Sequence, residues 1–255
     1  MPDMNVLERV RQKRPLVHCI ANIVTANDCA NILYAVGASP MMAEAPEEML
    51  EITALADAAV LNLGTPSRVK YAAAKICLEE SNRLKKPVVL DPVGVGASSW
   101  RLSSVSMLLE AGRPDVVRVN LAEAEALLGL GRGEQGVDSP GRNEAEPRAA
   151  AAAALAERLG CTVLLTGAAD YVSDGTRTEA VTGGSELMPL ITGGGCMLSA
   201  LCGAFLAAEP DAFAAALAAS RFWKRCSEAA EAATARRGPG SLRSALMDIA
   251  SGAGF

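Results

Sequence analysis

The feature that most constrains the fold is an alternation of short, largely apolar segments with Ala- and Leu-rich stretches. β-Branched side chains and flanking turn residues predict buried strands at 16–21, 59–63, 87–90, 116–119 and 162–165. Between them the pattern predicts helices, at 25–36, 47–56, 67–84 and 144–159. Apolar strands that alternate with helices indicate a parallel sheet covered on both faces. The sequence therefore predicts an α/β fold.

The pattern changes after Thr166. Asp-Gly and Gly-Gly pairs, which are hairpin signals, separate three short strand-like segments at 171–173, 176–181 and 187–191. We therefore expect antiparallel strands at one end of the sheet. Three closing helices are predicted at 196–208, 211–235 and 241–251.

Nothing in the composition divides the chain into separate domains. The sequence holds no internal repeat, and half of its 255 residues are hydrophobic, which is enough for a sizeable core. Residues 129–147 are rich in glycine and charge and are predicted to form a surface loop or a lid. We expect a single domain over residues 1–255.

Charge and cysteine usage exclude several classes of protein. The formal net charge is −5 and no basic cluster stands out, so no binding to nucleic acid is expected. The seven cysteines form no CxxC pair, which argues against a disulfide framework or a zinc site and favours reduced thiols in a cytoplasm. The N-terminal residues carry charges where a signal peptide would be apolar.

One segment, residues 188–208, lacks charged side chains and has the length of a membrane span. Pro189 and three consecutive glycines interrupt it, and the part predicted to be helical, from Cys196 onward, is too short to cross a bilayer. A buried core helix is the better interpretation, and we expect no membrane contact.

The three glycines at 193–195 form the most informative local motif. They precede an apolar helix, where bare backbone N–H groups and the positive end of the helix dipole favour an anion such as phosphate. A tight turn without a ligand is the alternative. Cys196 follows directly, where the dipole is expected to depress the pKa of its thiol. It could act as a weak general base, orient a substrate hydroxyl, or be a small buried hydrophobe.

Polar residues end several predicted strands, where ligands of α/β proteins bind. Asp91 is compatible with a water-mediated Mg²⁺ contact or with a turn. Arg118 interrupts an apolar strand and, because burying an unpaired guanidinium is expensive, is expected to meet a phosphate or a carboxylate. Asn120 and Glu123 have the spacing of a helix capping box, which competes with a metal role for Glu123. Thr166 ends a third strand and could hydrogen-bond a phosphate.

Two residues near the N-terminus are candidates for substrate binding. Asn22 could bind a polar atom of a substrate ring and Met42 could pack on an aromatic ligand, with a turn residue and a core residue as the alternatives. His18, the only histidine, is interpreted as a core or turn residue. Neither a GxxxxGK motif followed by Ser or Thr nor a GxGxxG before a helix is present, so any phosphate cradle is expected at the glycines 193–195.

Taken in order, these segments resemble the hydroxyethylthiazole kinase family. The resemblance covers nearly the whole chain and is carried by PLVHCIANIVTAN, GASPMMAEAPEE, VLNLGT, PVVLDPVGVGAS, VRVNLAEAEAL, LLTGAADYVSDG, LITGGGCMLSALCGAF and GPGS. It implies a ribokinase-like α/β/α sandwich that assembles as a homotrimer. It also implies an enzyme that uses ATP and Mg²⁺ to phosphorylate the alcohol of 5-(2-hydroxyethyl)-4-methylthiazole in thiamine salvage.

The resemblance assigns roles on the nucleotide side. It implies that Arg118 and Thr166 contact ATP and that Asp91 and Glu123 serve the Mg²⁺. The glycine turn adds the backbone amides of Gly194 and Gly195, which are expected to meet the phosphates.

On the acceptor side, the resemblance implies that Met42, Asn22 and Gly193 line a thiazole site between subunits. Cys196 occupies the position where many ribokinase relatives place an aspartate base. In loose phosphoryl transfer, positioning and charge stabilisation supply most of the catalysis, so a thiol is compatible with that position.

Two positions depart from the family pattern: Val119 stands where Gly is usual and Ala21 where Thr is common. Two other functions stay open. One is a ribokinase-like kinase for another heterocyclic alcohol, of the hydroxymethylpyrimidine or pyridoxal type, against which Cys196 and the PMMA segment argue. The other is a non-catalytic thiazole or nucleotide binder, which Val119 keeps open.

Overall fold

One mixed sheet runs through the centre of the computed structural model, which describes residues 2–130, 145–235 and 237–252. Its strands are β1 (Leu16–Ile20), β2 (Ser39–Met42), β3 (Ala58–Asn62), β4 (Val88–Asp91), β5 (Val116–Asn120), β6 (Thr162–Thr166), β7 (Asp170–Ser173) and β8 (Thr178–Val181). They lie in the order β2-β1-β3-β4-β5-β6-β7-β8. The strands from β2 to β6 in this order pair in parallel, whereas β7 pairs antiparallel with both β6 and β8. The predicted mostly parallel sheet with antiparallel strands at one end is confirmed.

Helices cover both faces of this sheet. In the described residues they are α1 (Pro2–Lys13), α2 (Ala26–Ala35), α3 (Met49–Leu55), α4 (Arg68–Leu84), α5 (Ser99–Ala111), α6 (Leu121–Leu128), α7 (Ala145–Leu159), α8 (Gly194–Ala208), α9 (Ala212–Ala233) and α10 (Pro239–Ser251). One apolar core lies between the sheet and α1, α2, α8, α9 and α10, and a second lies between the sheet and α3 to α7. Alternate strand side chains fill the two cores, as Val60 and Leu61 do. The fold is a three-layer α/β/α sandwich.

Local signals set several helix boundaries. The side chains of Ser67, Ser98 and Asp211 cap α4, α5 and α9 by accepting hydrogen bonds from backbone N–H groups of the first turn. At the other end of α4, Lys85 adopts a left-handed conformation with φ of 57°, which stops the helix. Residues next to the helices therefore fix where α4, α5 and α9 begin and where α4 ends.

The five predicted parallel strands are confirmed, and the predicted Asp-Gly turn joins β7 to β8. The strand predicted at 187–191 is wrong, because Met188–Leu190 forms a 3-10 turn. Pro189 lacks the N–H group that a strand interior would use. The pattern also leaves β2 unassigned, since it is a short, partly buried edge strand that contains a proline. The helices α1 and α5 are further additions, whereas the start of α6 agrees with the predicted capping box at Asn120 and Glu123. Most of the loop predicted at 129–147, residues 131–144, lies outside the described residues.

α8 is the most buried helix of the sandwich. Every residue from Cys196 to Ala207 is buried, and Gly203 allows the helix to approach the sheet closely. A Cβ atom at residue 203 would lie 2.5 Å from Cγ2 of Val60 and 3.1 Å from Cγ1 of Val17. None of the helices in the described part of the chain combines the length and hydropathy that a membrane crossing requires.

We expect Gly203→Ala to destabilise the protein by about 1–3 kcal/mol, because the added methyl group forces α8 away from β1 and β3. Gly240→Ala is the matched control. It lies in the first turn of α10, and a Cβ atom there meets no atom within 4 Å. That control should change stability by no more than about 1 kcal/mol, in the stabilising direction. Urea unfolding followed by circular dichroism measures both, and equal stabilities for the two variants would contradict this packing.

Candidate active site

Polar side chains gather where the carboxyl ends of the central parallel strands face the first turn of α8. Asp91 ends β4, Thr166 ends β6, and Arg118 is the middle residue of β5, which lies between these two strands. The carboxyl edge of a parallel sheet is where α/β proteins place their ligands. The register of the sheet therefore assembles a site from segments that are distant in sequence.

Asp91 is completely buried at the centre of this site. Its Oδ2 atom accepts hydrogen bonds from Nδ2 of Asn62 at 2.9 Å and from Oγ of Ser199 at 2.7 Å. Its Oδ1 atom accepts no hydrogen bond from the described residues and lies 3.6 Å from Nη1 of Arg118. Burial raises the pKa of Asp91, against the opposing effects of Arg118 and Ser199. One oxygen of a buried carboxylate thus retains its capacity to bind.

Arg118 links the ends of three neighbouring strands. Its Nη2 atom donates to Oγ1 of Thr166 at 2.6 Å, and its charge faces Asp91. Burial alone would lower the pKa of Arg118, but the carboxylates of Asp91 and Glu123 outweigh it and the net direction is upward. The expectation that this guanidinium meets a carboxylate is confirmed. Gly195 lies against it so closely that a Cβ atom there would be 2.5 Å from the guanidinium carbon.

Glu123 and Asn120 form the predicted capping box at the start of α6. Oδ1 of Asn120 accepts from the Glu123 backbone N–H at 2.8 Å, and Oε2 of Glu123 accepts from the Asn120 backbone N–H at 2.9 Å. The other oxygen of Glu123 accepts from the Gly94 backbone N–H at 2.8 Å. Burial and the charge of Asp91 raise the pKa of Glu123, while Arg118 opposes them. Both oxygens thus hold backbone amides, and each keeps a further lone pair.

The two carboxylates fit a magnesium ion of the kind that keeps most of its ligands as water and phosphate oxygens. No group of three or more His, Cys, Asp or Glu side chains in the described residues forms an all-protein metal cage. Mg²⁺ rarely uses such a cage and takes one or two carboxylates instead. Oδ1 of Asp91, which accepts no hydrogen bond from the described residues, is the atom that fits direct or water-mediated contact with the ion.

The glycine turn lies at the N-terminus of α8, as predicted. Gly193 is the residue before the helix and has φ of 94°, a left-handed conformation that favours glycine. The glycines at 193–195 are half-buried, so the turn is not packed shut. The first backbone N–H groups of a helix have no partner within the helix, and they lie here beside Arg118 and Cys196.

The expected depression of the Cys196 thiol pKa is wrong. Cys196 lies in the first turn of α8, but only 8% of its surface is exposed. Burial raises the pKa of the thiol and the nearby charge of Asp91 adds to this, whereas hydrogen bonds with Thr25 and Asn62 and the charge of Arg118 oppose it. Desolvation is the largest of these effects, so the pKa of the thiol lies above its ordinary value.

Asn22 and Met42 also lie at the carboxyl edge of the sheet, at the ends of β1 and β2, the first two strands in the sheet order. Asn22 follows β1, and its Oδ1 atom accepts from the backbone N–H of Val24 at 3.0 Å in a turn that continues to Thr25. Thr25 connects this turn with the main site, since a Cβ atom at Gly193 would lie 2.7 Å from its Cγ2. Met42 ends the outermost strand β2 and is 40% exposed, so the alternative of a core residue does not hold.

Sequence reasoning missed three residues of the site. Asn62 and Ser199 donate to Asp91, and Thr25 hydrogen-bonds Cys196. Asn62 carries the same signal as Asp91, a polar residue that ends an apolar strand. Ser199 and Thr25 carry no signal, because small hydroxyl residues are common in helices and turns.

The side chain of Val119, at a position where the family usually has glycine, does not point into the site. Successive side chains of a strand point to opposite faces. Val119 is completely buried in the core on the face of α3 to α7, whereas Arg118 reaches Asp91 and Thr166. The branched side chain at 119 thus lies away from the guanidinium.

Comparison with known proteins gives consistent matches. The sequence profile of the hydroxyethylthiazole kinase family matches residues 7–251. A hydroxyethylthiazole kinase from Listeria monocytogenes serovar 1/2a is 45% identical over 248 residues, which cover 97% of this chain and 91% of that protein. The structure of a hydroxyethylthiazole kinase from Pyrococcus horikoshii OT3 superposes with a TM-score of 0.86 at 41% identity, covering 98% of this chain and 92% of the other.

A more distant match concerns the fold alone. A ribokinase-like superfamily protein from Enterococcus faecalis V583 superposes with a TM-score of 0.66 at 14% identity, over 98% of this chain and 94% of the other. The three-layer sandwich is therefore ribokinase-like.

Alkylation of Cys196 is expected to depend steeply on pH. Because burial raises the pKa of this thiol, its thiolate fraction grows about tenfold per unit between about pH 7 and pH 9, and the rate with iodoacetamide follows without a plateau. Tandem mass spectrometry reads the rate at Cys196 separately from that at Cys202. The latter is a matched control, completely buried and with a pKa raised to about 12, and should stay unmodified. A plateau below about pH 8 would mean a depressed pKa.

Proposed function

Because the chain belongs to the hydroxyethylthiazole kinase family, we propose that it transfers the terminal phosphoryl group of ATP to the hydroxyl of 5-(2-hydroxyethyl)-4-methylthiazole, in thiamine salvage. The observation that carries this proposal is the meeting of Arg118, Asp91 and the glycine turn of α8 at one point of the sheet edge. Cationic donors and free amides face the place where a transferring phosphoryl group develops charge.

On the nucleotide side, Arg118 and Thr166 bind ATP, and the amides of Gly194 and Gly195 receive the phosphates. The close approach of Gly195 to the guanidinium supports this, since both can contact one anion. The hydrogen bond from Arg118 to Thr166 holds the guanidinium plane, and the carbonyl of Thr166 is itself held by Nη2 of Arg148 at 2.8 Å. Donors fixed in advance need little reorganisation when charge develops.

Asp91 and Glu123 hold the Mg²⁺ that accompanies ATP. A bound magnesium ion supplies positive charge against the phosphate oxygens. Asp91 offers Oδ1, which accepts no hydrogen bond from the described residues, and Glu123, anchored by two backbone amides, keeps the second negative charge in place. The raised pKa of both carboxyl groups reflects the burial of charge that a cation would relieve.

Cys196 positions the acceptor hydroxyl rather than removing its proton as a strong base. A protonated thiol can donate or accept a weak hydrogen bond, and its pKa is raised. In a loose transition state the hydroxyl loses its proton late, so alignment contributes more than base strength.

Asn22, Met42 and Gly193 line the thiazole site, which a neighbouring subunit of a homotrimer completes. Large apolar side chains are exposed beside Asn22, with Ile23 80% and Val24 62% accessible, and such exposure at a site supports burial by another subunit. The enzyme is a single domain. Its seven cysteines are all free thiols, which supports a cytoplasmic enzyme, and its net charge supports no nucleic-acid partner.

The purified protein is expected to release ADP from ATP and Mg²⁺ only when the thiazole alcohol is present. A coupled assay of ADP formation measures this, with hydroxymethylpyrimidine and pyridoxal as competing acceptors. Faster turnover of either alternative alcohol would contradict the proposed acceptor. A thermal shift with the thiazole but no ADP would instead identify a non-catalytic binder.

Gly195→Ala is expected to raise the KM for ATP by about tenfold or more, because the new methyl group displaces the Arg118 guanidinium. The KM for the thiazole alcohol should stay within about twofold. Steady-state kinetics with each substrate varied measures both, and the exposed Gly240→Ala variant serves as control. An unchanged KM for ATP would show that Arg118 does not contact the nucleotide.

A further inference from the structure

Lys70 is among the largest fully buried side chains in the described residues, and nothing in the proposed chemistry uses it. It is the third residue of α4, and only 2% of its side chain is exposed. Burial lowers the pKa of this ammonium group, and the carboxylate of Glu44 opposes that shift. A buried ammonium group is expensive, so the contacts that hold it need an explanation.

The ammonium group binds loops that follow three neighbouring strands. Nζ donates to the carbonyl oxygen of Ala21 at 2.7 Å, just after β1, and to that of Gly64 at 2.8 Å, just after β3. It lies 3.5 Å from the carboxylate of Glu44, just after β2. The hydroxyl of Thr65 is 3.4 Å away. An ammonium group is a compact charge with three donors, so one atom can hold three chain segments together.

These loops carry the proposed acceptor site. Ala21 precedes Asn22, and Glu44 follows Met42 by two residues. Gly64 packs directly on Asn22, since a Cβ atom at residue 64 would lie 2.4 Å from the side-chain Nδ2 atom of Asn22. Displacement of Lys70 would therefore release Asn22 and Met42 from their fixed separation.

Strain in the same loop agrees with a held geometry. Thr65 has φ of 46°, which is unusual for a residue other than glycine. Its hydroxyl accepts from the backbone N–H of Ile23 at 3.3 Å, so the loop after β3 is tied to the turn that contains Asn22. Surrounding contacts must maintain such a conformation, and the contact of Lys70 with the Thr65 hydroxyl is one of them.

A second buried lysine, Lys224, provides a comparison on the other side of the site. Nζ of Lys224 donates to the carbonyl oxygens of Ala168 at 3.0 Å, Gly183 at 3.1 Å and Gly167 at 3.3 Å. These loops follow β6 and β8, beside Thr166 and away from Asn22. The two lysines have the same chemistry and differ in which loops they hold.

We propose that Lys70 is a positioning residue for the acceptor alcohol, which fixes the loops after β1, β2 and β3 through one ammonium group. The proposal rests on the function proposed above. Lys70 contacts no reacting atom, and it acts through the placement of Asn22 and Met42.

Steady-state kinetics of Lys70→Met test this role. We expect the KM for the thiazole alcohol to rise about tenfold or more, with the KM for ATP within about twofold of the unaltered enzyme. Lys224→Met should leave the KM for the alcohol within about twofold, as should Lys75→Met, an exposed lysine on the same helix. Equal increases in both KM values for Lys70→Met, or an unchanged KM for the alcohol, would overturn the proposal.

Hydrogen exchange gives a readout that does not depend on activity. Backbone amides at 21–24, 43–45 and 64–65 should exchange faster in Lys70→Met than in Lys75→Met, and unchanged exchange at all three loops would overturn the proposal. If the unaltered protein phosphorylates no thiazole, the proposed function fails while this comparison still decides the role of Lys70. Should Lys70→Met fail to fold, Glu44→Gln removes only the negative charge of a half-exposed partner and is expected to raise the same KM about threefold. No change in that variant would count against the proposal.

Discussion

Asp91 and Arg118 carry opposite charges in a region almost closed to water, with their nearest charged atoms 3.6 Å apart. Removing both ions from water costs more than their attraction returns unless further hydrogen bonds satisfy them. Those bonds come from Asn62, Ser199 and Thr166, on β3, α8 and β6. Because each partner belongs to a different element, the pair holds its geometry only while the sheet register and the position of α8 are both correct. Removing one member would leave an uncompensated buried charge.

The need of buried charges for hydrogen-bond partners also governs the loops on the two sides of the site. Lys70 and Lys224 are buried ammonium groups whose acceptors are mostly backbone carbonyls in the loops that follow strands. Loop carbonyls need hydrogen-bond partners when water is excluded, and a lysine supplies three donors from a single point. The strand-end loops are thereby given a defined shape without regular secondary structure.

Two opposing effects act on the pKa of the Cys196 thiol, and the surroundings of the thiol decide between them. A helix N-terminus stabilises a thiolate, and burial destabilises it. Cys196 lies in the first turn of α8, but burial and the nearby charge of Asp91 raise the pKa of its thiol, and the opposing effects of Thr25, Asn62 and Arg118 are smaller. This arrangement favours a neutral hydrogen-bonding partner, a role that loose phosphoryl transfer can tolerate.

The sequence by itself determined the elements whose signals are local. Apolar runs gave the five buried parallel strands, and Asn120 with Glu123 gave the cap of α6, because side-chain periodicity and caps depend on near neighbours. The sequence also identifies polar residues at strand ends, such as Asp91, as candidates for the site. The tertiary structure alone decided the edge strand β2, the 3-10 turn at Met188–Leu190, the raised thiol pKa and the burial of Lys70. Each of these depends on which distant segments surround a residue, and desolvation and packing are set by neighbours that are far away along the chain.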